Sequence, residues 1–346
     1  MSFSVQIRQW ETPIVVEMGQ TVLEAAIAQG VPYPHGCRSG NCGACKSRLL
    51  SGEIDLGAHS EFALTVDERE RGLVLACRTT PWSDCEIAWL DAEDVIVHPS
   101  RILDCEVTAI ERATHDITVV RLTVQNGGPF TFSAGQFASV TFSGQAARDY
   151  SMANRPDQAE LEFHIRVVDG GSVSAFVAET LALGDKVRVE GPHGAAYLRE
   201  THKGPILAVA GGSGLAPIKS IVETALSAGM SQPIALYFGV RDVRDLYLVA
   251  HFEDLARKHA NFHFIPVLSE AGAEGEFRTG FVHDAVLADS QDFDGRKVYT
   301  AGPPVMVEAL SAVVCDHGLR AEDLHADAFY TAAEQAALNE QGGKSR

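Results

Sequence analysis

Three different hydrophobic rhythms follow one another along the chain. At the N-terminus SVQI (4–7) and IVVE (14–17) alternate polar and apolar positions, the period of half-buried strands. TVLEAAIAQG (21–30) then switches to the helical period, with Val22, Leu23, Ala26 and Ile27 on one face. Thr21 and Glu24 stand at capping-box spacing and Gly30 supplies the stop. From about 102 to 198 the pattern is strand-like throughout: CEVTAI, ITVVRLTV, FASVTF, LEFHIRVV and KVRVEG, separated by glycine-bearing turns. Such spacing predicts a small antiparallel barrel.

From about 203 strands alternate with helices. PILAVA leads through a glycine turn into a helix over 218–228, and IALYFGV into one over 248–259. FHFIPVL precedes a helix over 282–288, and KVYTAG one over 305–317. Repeated βα units predict a parallel sheet wound with helices. The expected organisation is a multidomain chain, α/β and β: a β-grasp-like module at 1–97, a β-barrel domain at 98–200 and a doubly wound α/β domain at 201–346. DAEDVIVHPSR (91–101) reads as a linker, and the polar tail after Glu334 is expected to fray.

At 346 residues the chain is long enough to bury ample core without disulfides. Lys and Arg number 28 against 46 Asp and Glu, a net charge of −18. That balance argues against nucleic acid or an anionic membrane as partner, since both demand a basic footprint. Residues 1–97 carry 14 acids and 7 bases, so −7 of the total sits in the smallest module. No apolar run approaches the roughly 20 residues of a membrane helix. SVQIRQW is unlike a signal peptide, which makes the cytoplasm the expected compartment.

Seven cysteines lie at 37, 42, 45, 77, 85, 105 and 315. Cys37, Cys42 and Cys45 are spaced C-x4-C-x2-C, and Cys77 follows, which is the plant-type 2Fe–2S ligand pattern. Glycines at 36, 40 and 43 allow the backbone to curl around a cluster and aim N–H groups at its sulfurs. Structural zinc usually takes two CxxC or CxxH pairs, and only one CxxC is present here. Cys85, Cys105 and Cys315 lack such a context and are expected to be small core hydrophobes.

The barrel segment holds RDYS (148–151), HIRV (164–167) and GGSVS (170–174). An arginine can clamp pyrophosphate, a tyrosine can stack on a flat ring, and a glycine-led turn can offer N–H groups to phosphate. Each is weak alone, because a surface ion pair or a barrel-rim aromatic would look the same. Next, AVAGGSGLAPIKS (208–220) runs a strand into Gly211, Gly212, Ser213 and Gly214 and then a helix, placing N–H groups and a helix dipole where a dinucleotide pyrophosphate binds.

The first module resembles the plant-type ferredoxins over its whole length. The ordered set AGQF (134–137), RDYS, GGSVS and LGDKVRVEGPHG (183–194) resembles the ferredoxin–NADP reductase superfamily. That resemblance implies that Arg148 binds FAD pyrophosphate, Tyr150 packs on the flavin and Ser151 reaches its N5 edge. It also implies that Gly171, Ser172, Val173 and Ser174 hold phosphate at a helix start, with His164, Ile165 and Arg166 in the same cofactor set. AGPPVM (301–306) resembles the family's C-G-P-P-x-M element beside the nicotinamide, with Gly302 and Pro303 in place and Ala301 where the family has cysteine. Phe329, in DAFY (327–330), lies where the family sets an aromatic over the flavin.

The order ferredoxin, FAD, nicotinamide is that of reductase components of bacterial oxygenases, most like those serving aromatic-ring-hydroxylating dioxygenases. The expected cofactors are a 2Fe–2S cluster, FAD and NADH, with NADPH left open, because Asp242 suits a ribose 2′-OH while Arg241 or Arg244 suits a 2′-phosphate. A nicotinamide gives two electrons as hydride and such a cluster takes one, so the combination converts two-electron into one-electron transfer. The expected partner is a terminal oxygenase or an intermediate ferredoxin with a basic docking patch, served by a monomer. Alternatives are a fused reductase for another acceptor, such as a deoxysugar-forming enzyme or another hydroxylase, and a non-catalytic redox sensor.

Overall fold

The computed structural model describes all residues except 37, 41, 42, 61, 62, 91–95, 97, 271–275, 332, 333 and 335–346. The expected ligands Cys37 and Cys42, most of the linker at 91–101 and the tail after Glu334 therefore lie outside the described residues. The chain divides into two compact units, Met1–Val97 with Tyr330–Arg346, and His98–Phe329.

In the first unit the elements are β1 (Ser2–Ile7), β2 (Ile14–Glu17), α1 (Val22–Ala28), β3 (Lys46–Ser51), β4 (Ile54–Leu56), α2 (Val66–Glu70), β5 (Leu73–Leu75), β6 (Thr79–Pro81) and β7 (Cys85–Trp89). The main sheet runs β2-β1-β7-β3-β5, with β1 and β7 parallel. The predicted capping box forms: Glu24 N donates to Thr21 Oγ1 at 3.3 Å and Thr21 N to Glu24 Oε2 at 2.9 Å. Val22, Leu23, Ala25 and Ala26 are buried on the sheet with Val5, Ile7 and Ile87 in one core. This is the β-grasp architecture.

The second unit opens with β8 (Arg101–Arg112), β9 (Ile117–Asn126), β10 (Phe137–Phe142), β11 (Arg148–Ser151), β12 (Glu160–Arg166), α3 (Ser172–Glu179) and β13 (Lys186–His193). These six strands form an antiparallel sheet, order β11-β10-β13-β8-β9-β12, which a bridge between Met152 and Phe163 joins edge to edge into a barrel. Alternation decides which residues fill it. On β12, Leu161, Phe163 and Ile165 enter the barrel core, while Glu162, His164 and Arg166 point the other way.

The remainder is β14 (Ile206–Gly211), α4 (Leu215–Ser227), β15 (Ile234–Val240), α5 (Val249–Lys258), β16 (Phe262–Leu268), β17 (Arg278–Thr279), α6 (Val282–Asp289), β18 (Lys297–Gly302), α7 (Pro304–Asp316) and β19 (Leu324–Ala328). The sheet is parallel, order β17-β16-β15-β14-β18-β19. Ile206, Ala208 and Ala210 belong to one core with α4 and α5; Leu207 and Val209 belong to another with α6 and α7. The sheet is thus covered on both faces, as a doubly wound fold requires. The chain walks outward from β14 through β15 and β16 to β17 and returns to the other side of β14 as β18, so the carboxyl ends of β14 and β18 form a topological switch point.

Two differences from the sequence reading have simple causes. Cys315 is exposed, because the buried stripe of α7 is Val307, Leu310, Ser311 and Val314, and the next position turns outward. Helix α4 starts at Leu215, three residues early, since a one-turn 3-10 segment at Gly212–Gly214 feeds straight into it.

Candidate functional site

The cysteine loop is built on left-handed backbone. Gly40 (φ +83°) and Gly43 (φ +72°) take this conformation, and a Cβ on Gly40 would lie 3.0 Å from the Ala58 carbonyl oxygen. Ser60 N donates to Gly40 O at 3.0 Å and Lys46 N to Gly43 O at 2.9 Å, pinning both sides of the curl. Cys45 and Cys77 are buried thiols outside any disulfide. Ala76 N donates to Cys45 O at 3.1 Å, which brings the segments of the third and fourth expected ligands side by side. Two buried soft donors on adjacent segments, beside glycines in left-handed backbone, fit part of an iron–sulfur ligand set. Cys85 and Cys105 are buried in the cores, and burial pushes the Cys105 thiol up to about 12, so it is inert.

On the barrel, β11 pairs with β10 so that Arg148 and Tyr150 share one face and Ser151 the other. Arg148 is exposed, donating to the Ala147 carbonyl at 2.8 Å, while Tyr150 is half-buried and burial raises its hydroxyl to about 12. Tyr150 is therefore neutral and offers a ring, not a charge. Helix α3 begins at Ser172 behind Gly171, with no side chain capping its first N–H groups. The Ser174 hydroxyl accepts from Val168 N at 3.1 Å and donates to Gly171 O at 3.1 Å, shaping the loop around that open end. Val173 is buried in the barrel core. An uncapped helix start offers N–H groups of the kind that hold a diphosphate, and the exposed Arg148 guanidinium offers the matching charge.

The glycine turn after β14 is packed against the turn after β18. A Cβ on Gly211 would meet Met306 Sδ at 2.6 Å and Pro303 Cδ at 2.8 Å; one on Gly214 would meet Ala301 O at 2.1 Å. Gly302 has φ +144°, and a Cβ there would lie 2.8 Å from Gly211 O. Only hydrogen fits at these three positions, and the result is a backbone-lined crevice at the switch point. Helix α4 starts without a side-chain cap, as a pyrophosphate site needs. Ser213 is half-buried at its mouth.

Beyond β15, Arg241 Nε lies 3.6 Å from Asp245 Oδ2. The Asp242 carboxylate accepts from Val243 N at 2.6 Å and forms a capping box with Asp245, so it is already engaged in the local turn. Of the HIRV strand, Ile165 is buried in the barrel and Arg166 pairs with Asp116 at 2.8 Å. The His164 ring is buried outside the barrel core, between Tyr247 Oη at 3.0 Å and Glu162 Oε1 at 3.1 Å. Burial pushes the imidazole pKa down, against the pull of Glu162. Burial would raise the Glu162 carboxyl, but His164 and Lys219 outweigh it and hold it well below the usual carboxylate range.

Two partners escaped the sequence reading. Asp327, on β19, lies with Oδ2 3.5 Å from Ser151 Oγ and so joins DAFY to RDYS. Phe329 N donates to Gly302 O at 2.9 Å, and its half-buried ring packs on the core shared by α4. β19 itself was not anticipated, because LHADA carries a histidine and an aspartate instead of a β-branched run. Tyr247, just ahead of the helix expected over 248–259, carried no reading of its own; only the contact across to His164 distinguishes it.

The comparisons with known proteins agree with this geometry domain by domain. Residues 6–81 match the 2Fe-2S iron-sulfur cluster binding domain, 104–197 the oxidoreductase FAD-binding domain and 208–312 the oxidoreductase NAD-binding domain. The ferredoxin–NAD(P)+ reductase component of naphthalene 1,2-dioxygenase/salicylate 5-hydroxylase systems from Ralstonia sp. is 42% identical over 316 residues, covering 91% of this chain and 94% of the relative. The reductase component of phenol 2-monooxygenase from Pseudomonas sp. strain CF600 is 37% identical, covering 97% of each. The crystal structure of an Amycolatopsis cytochrome P450 reductase superposes with a TM-score of 0.77 at 36% identity, over 95% of this chain and 99% of that one. The chain belongs to the family of ferredoxin–NAD(P)+ reductase components of oxygenase systems, oxidoreductases with 2Fe–2S, FAD and NAD-binding domains.

Proposed function

We propose that this reductase draws on NADH and feeds a ring-hydroxylating oxygenase for aromatic substrates, directly or through a separate ferredoxin. The observation that supports a shared site is the 3.5 Å approach of Ser151 Oγ to Asp327 Oδ2, which joins the barrel's RDYS strand to β19, the neighbour of β18. Bound there, FAD supplies the two-electron to one-electron conversion between nicotinamide and cluster. The chain's own residues bind and orient. Arg148 and the α3 start at Gly171–Ser174 hold the FAD diphosphate, and Tyr150 and Phe329 confine its ring. Ser151, with Asp327 at its hydroxyl, sits where charge develops. Gly211–Gly214, Gly302 and Pro303 admit the dinucleotide backbone, and Arg241 faces its adenosine end. Cys37, Cys42, Cys45 and Cys77 hold the cluster.

The domain limits 1–97, 98–200 and 201–346, and the monomeric state, belong to the same reading. The relatives named for naphthalene and phenol systems support an aromatic-oxygenase partner. The −7 charge of residues 1–97 supports a basic acceptor surface and salt-sensitive docking. Likeness to a cytochrome P450 reductase favours a second reading in which the acceptor is a cytochrome P450. Among the described residues no helix is long and apolar enough to cross a membrane.

Anaerobic titration of the purified protein with NADH tests the first step. Bleaching of both flavin and iron–sulfur bands, with about three electrons taken up per chain, is expected. Bleaching of the flavin alone would leave the two centres uncoupled, and no bleaching would return the sensor reading. Mixing the reduced protein with a ring-hydroxylating oxygenase, a ferredoxin or a cytochrome P450 then separates the acceptors.

A further inference from the structure

The barrel strand β12 does more than wall the FAD side. Its outward residues, Glu162, His164 and Arg166, reach across to the NAD-binding part of the same unit. The Glu162 carboxylate only accepts, so His164 Nε2–H donates to it at 3.1 Å and leaves Nδ1 as an acceptor. The Tyr247 hydroxyl donates to that Nδ1 at 3.0 Å, with Gly212 O at 3.4 Å as the longer acceptor of the shared hydrogen. Tyr247 and His164 are both buried, with ring centroids 5.4 Å apart, edge to face, and Phe238 of β15 backs Tyr247 at 5.7 Å. Arg166 completes the approach: a Cβ on Gly212 would lie 3.6 Å from its Nη1.

The rest of the seam is differently built. A cleft of about 640 Å³, lined by Arg121, Arg155, Lys219, Glu223, Tyr247 and His251 among others, separates the barrel from α4 and α5. Beside the cleft, Ile117 and Ala134 of the barrel share an apolar core with α4 and Tyr247, and polar contacts span the rest. On the α4 side these polar contacts run from Lys219 Nζ to Glu162 at 3.2 Å and to Ala153 O at 3.1 Å, and from Ser220 Oγ to Asn154 O at 2.7 Å. None of these touches the glycine turn. Gly212, at φ +54°, rests instead on Tyr247 and Arg166.

We propose that Tyr247 is a positioning residue, which through His164 ties the Gly211–Gly214 turn to strand β12 so that the crevice for the dinucleotide is preformed. The inference rests on the reading of that turn as the dinucleotide site. It requires no contact between Tyr247 and a cofactor.

The test is a double-mutant cycle with Tyr247→Phe, which keeps the ring, and His164→Leu, which removes its partner. Two readouts are taken on the FAD-loaded full chain: the dissociation constant of NAD+ by calorimetry, and hydrogen exchange of peptides covering 211–215 and, as a control, 219–226. Losing one buried hydrogen bond weakens NAD+ binding about fivefold and speeds exchange in 211–215 by a similar factor. Peptides over 219–226 and the FAD content stay as in the parent chain for Tyr247→Phe. In the double variant, Tyr247→Phe adds less than twofold to the effect of His164→Leu. Unchanged NAD+ affinity and unchanged 211–215 exchange in Tyr247→Phe overturn the proposal, as does a uniform rise in exchange over both segments, which marks a merely structural tyrosine. If His164→Leu does not fold, the Tyr247→Phe comparison decides alone. If the parent chain binds no NAD+, it is the reading of the turn that has failed.

Discussion

Replacing Gly214 by alanine separates nicotinamide binding from everything else the chain does. Gly214 has φ −59° and ψ −12°, values any residue adopts, so the backbone itself does not object to a side chain. The obstacle is space. The new methyl would lie 2.1 Å from Ala301 O, 2.4 Å from Ala301 C and 2.7 Å from Gly302 N, all main-chain atoms with no rotamer to yield. Relief to the 3.0 Å floor of real contacts needs a shift of at least about 0.9 Å between the two turns, and Ala210, Leu215 and Ala301 transmit it into one core. Overpacking of this kind costs about 1–3 kcal/mol, a modest part of the stability of such a unit, which remains folded at 25 °C. The same shift stretches N–H contacts at the α4 start from about 2.9 Å to beyond hydrogen-bonding range. Losing one such bond to a charged diphosphate costs about 1.5–3 kcal/mol, which is more than a tenfold loss of NADH affinity. Stopped-flow flavin reduction at varied NADH, beside FAD content and dithionite reduction of both centres, measures this. Gly214→Ala should keep FAD and cluster, respond normally to dithionite and require over ten times more NADH. An NADH dependence within twofold of the parent in a folded, FAD-loaded variant would refute the crevice argument.

Further outcomes follow from the same structure. Cys77→Ser should remove the iron–sulfur band and cytochrome c reduction while NADH–ferricyanide activity continues; loss of both with FAD still bound would overturn the electron order. A double Arg241→Ala, Arg244→Ala variant should raise the KM for NADPH more than for NADH, and equal rises would remove both arginines from the discrimination. His325 stacks on Tyr299 at 5.1 Å, and burial, reinforced by Arg199 and Lys297, holds its pKa well below the ordinary imidazole value. The unfolded chain then binds a proton near pH 6.5 that the folded chain refuses, so this contribution is intact above that pH and lost below it, at about 1.4 kcal/mol per pH unit. Denaturant unfolding between pH 7 and 5 should show a shallower loss for His325→Gln than for the parent; identical slopes would show that His325 ionises freely in the fold.

How much was legible in the sequence depended on whether the signal was local. Turns that demand glycine, a capping box at Thr21 and Glu24, and cysteines three to five residues apart are written within one short segment, because the physics that selects them acts over one short segment. The βα rhythm after residue 203 is similarly local, and with it came the parallel sheet. What escaped were pairings between segments far apart in the chain. Asp327 meets Ser151 across 176 residues, and Tyr247 meets His164 across 83. Neither aspartate nor tyrosine is unusual where it stands, and no spacing rule singles it out. β19 escaped for the complementary reason. Its strand form comes from its place beside β18, in register from Val298–Leu324 to Gly302–Ala328, and not from its own composition. The same logic explains His164. Its position in the strand is readable from alternation, but alternation has two sides, and only the fold says that the outer side of β12 faces α4 and the glycine turn instead of solvent. A buried histidine there makes sense only with Glu162 and Tyr247 on either hand, since a lone imidazole in that seam would leave polar nitrogens unpaired at a cost of a few kcal/mol. Residues whose burial is bearable only because of distant partners are those that a local reading misses, and in this chain they connect strand β12 to the Gly211–Gly214 turn.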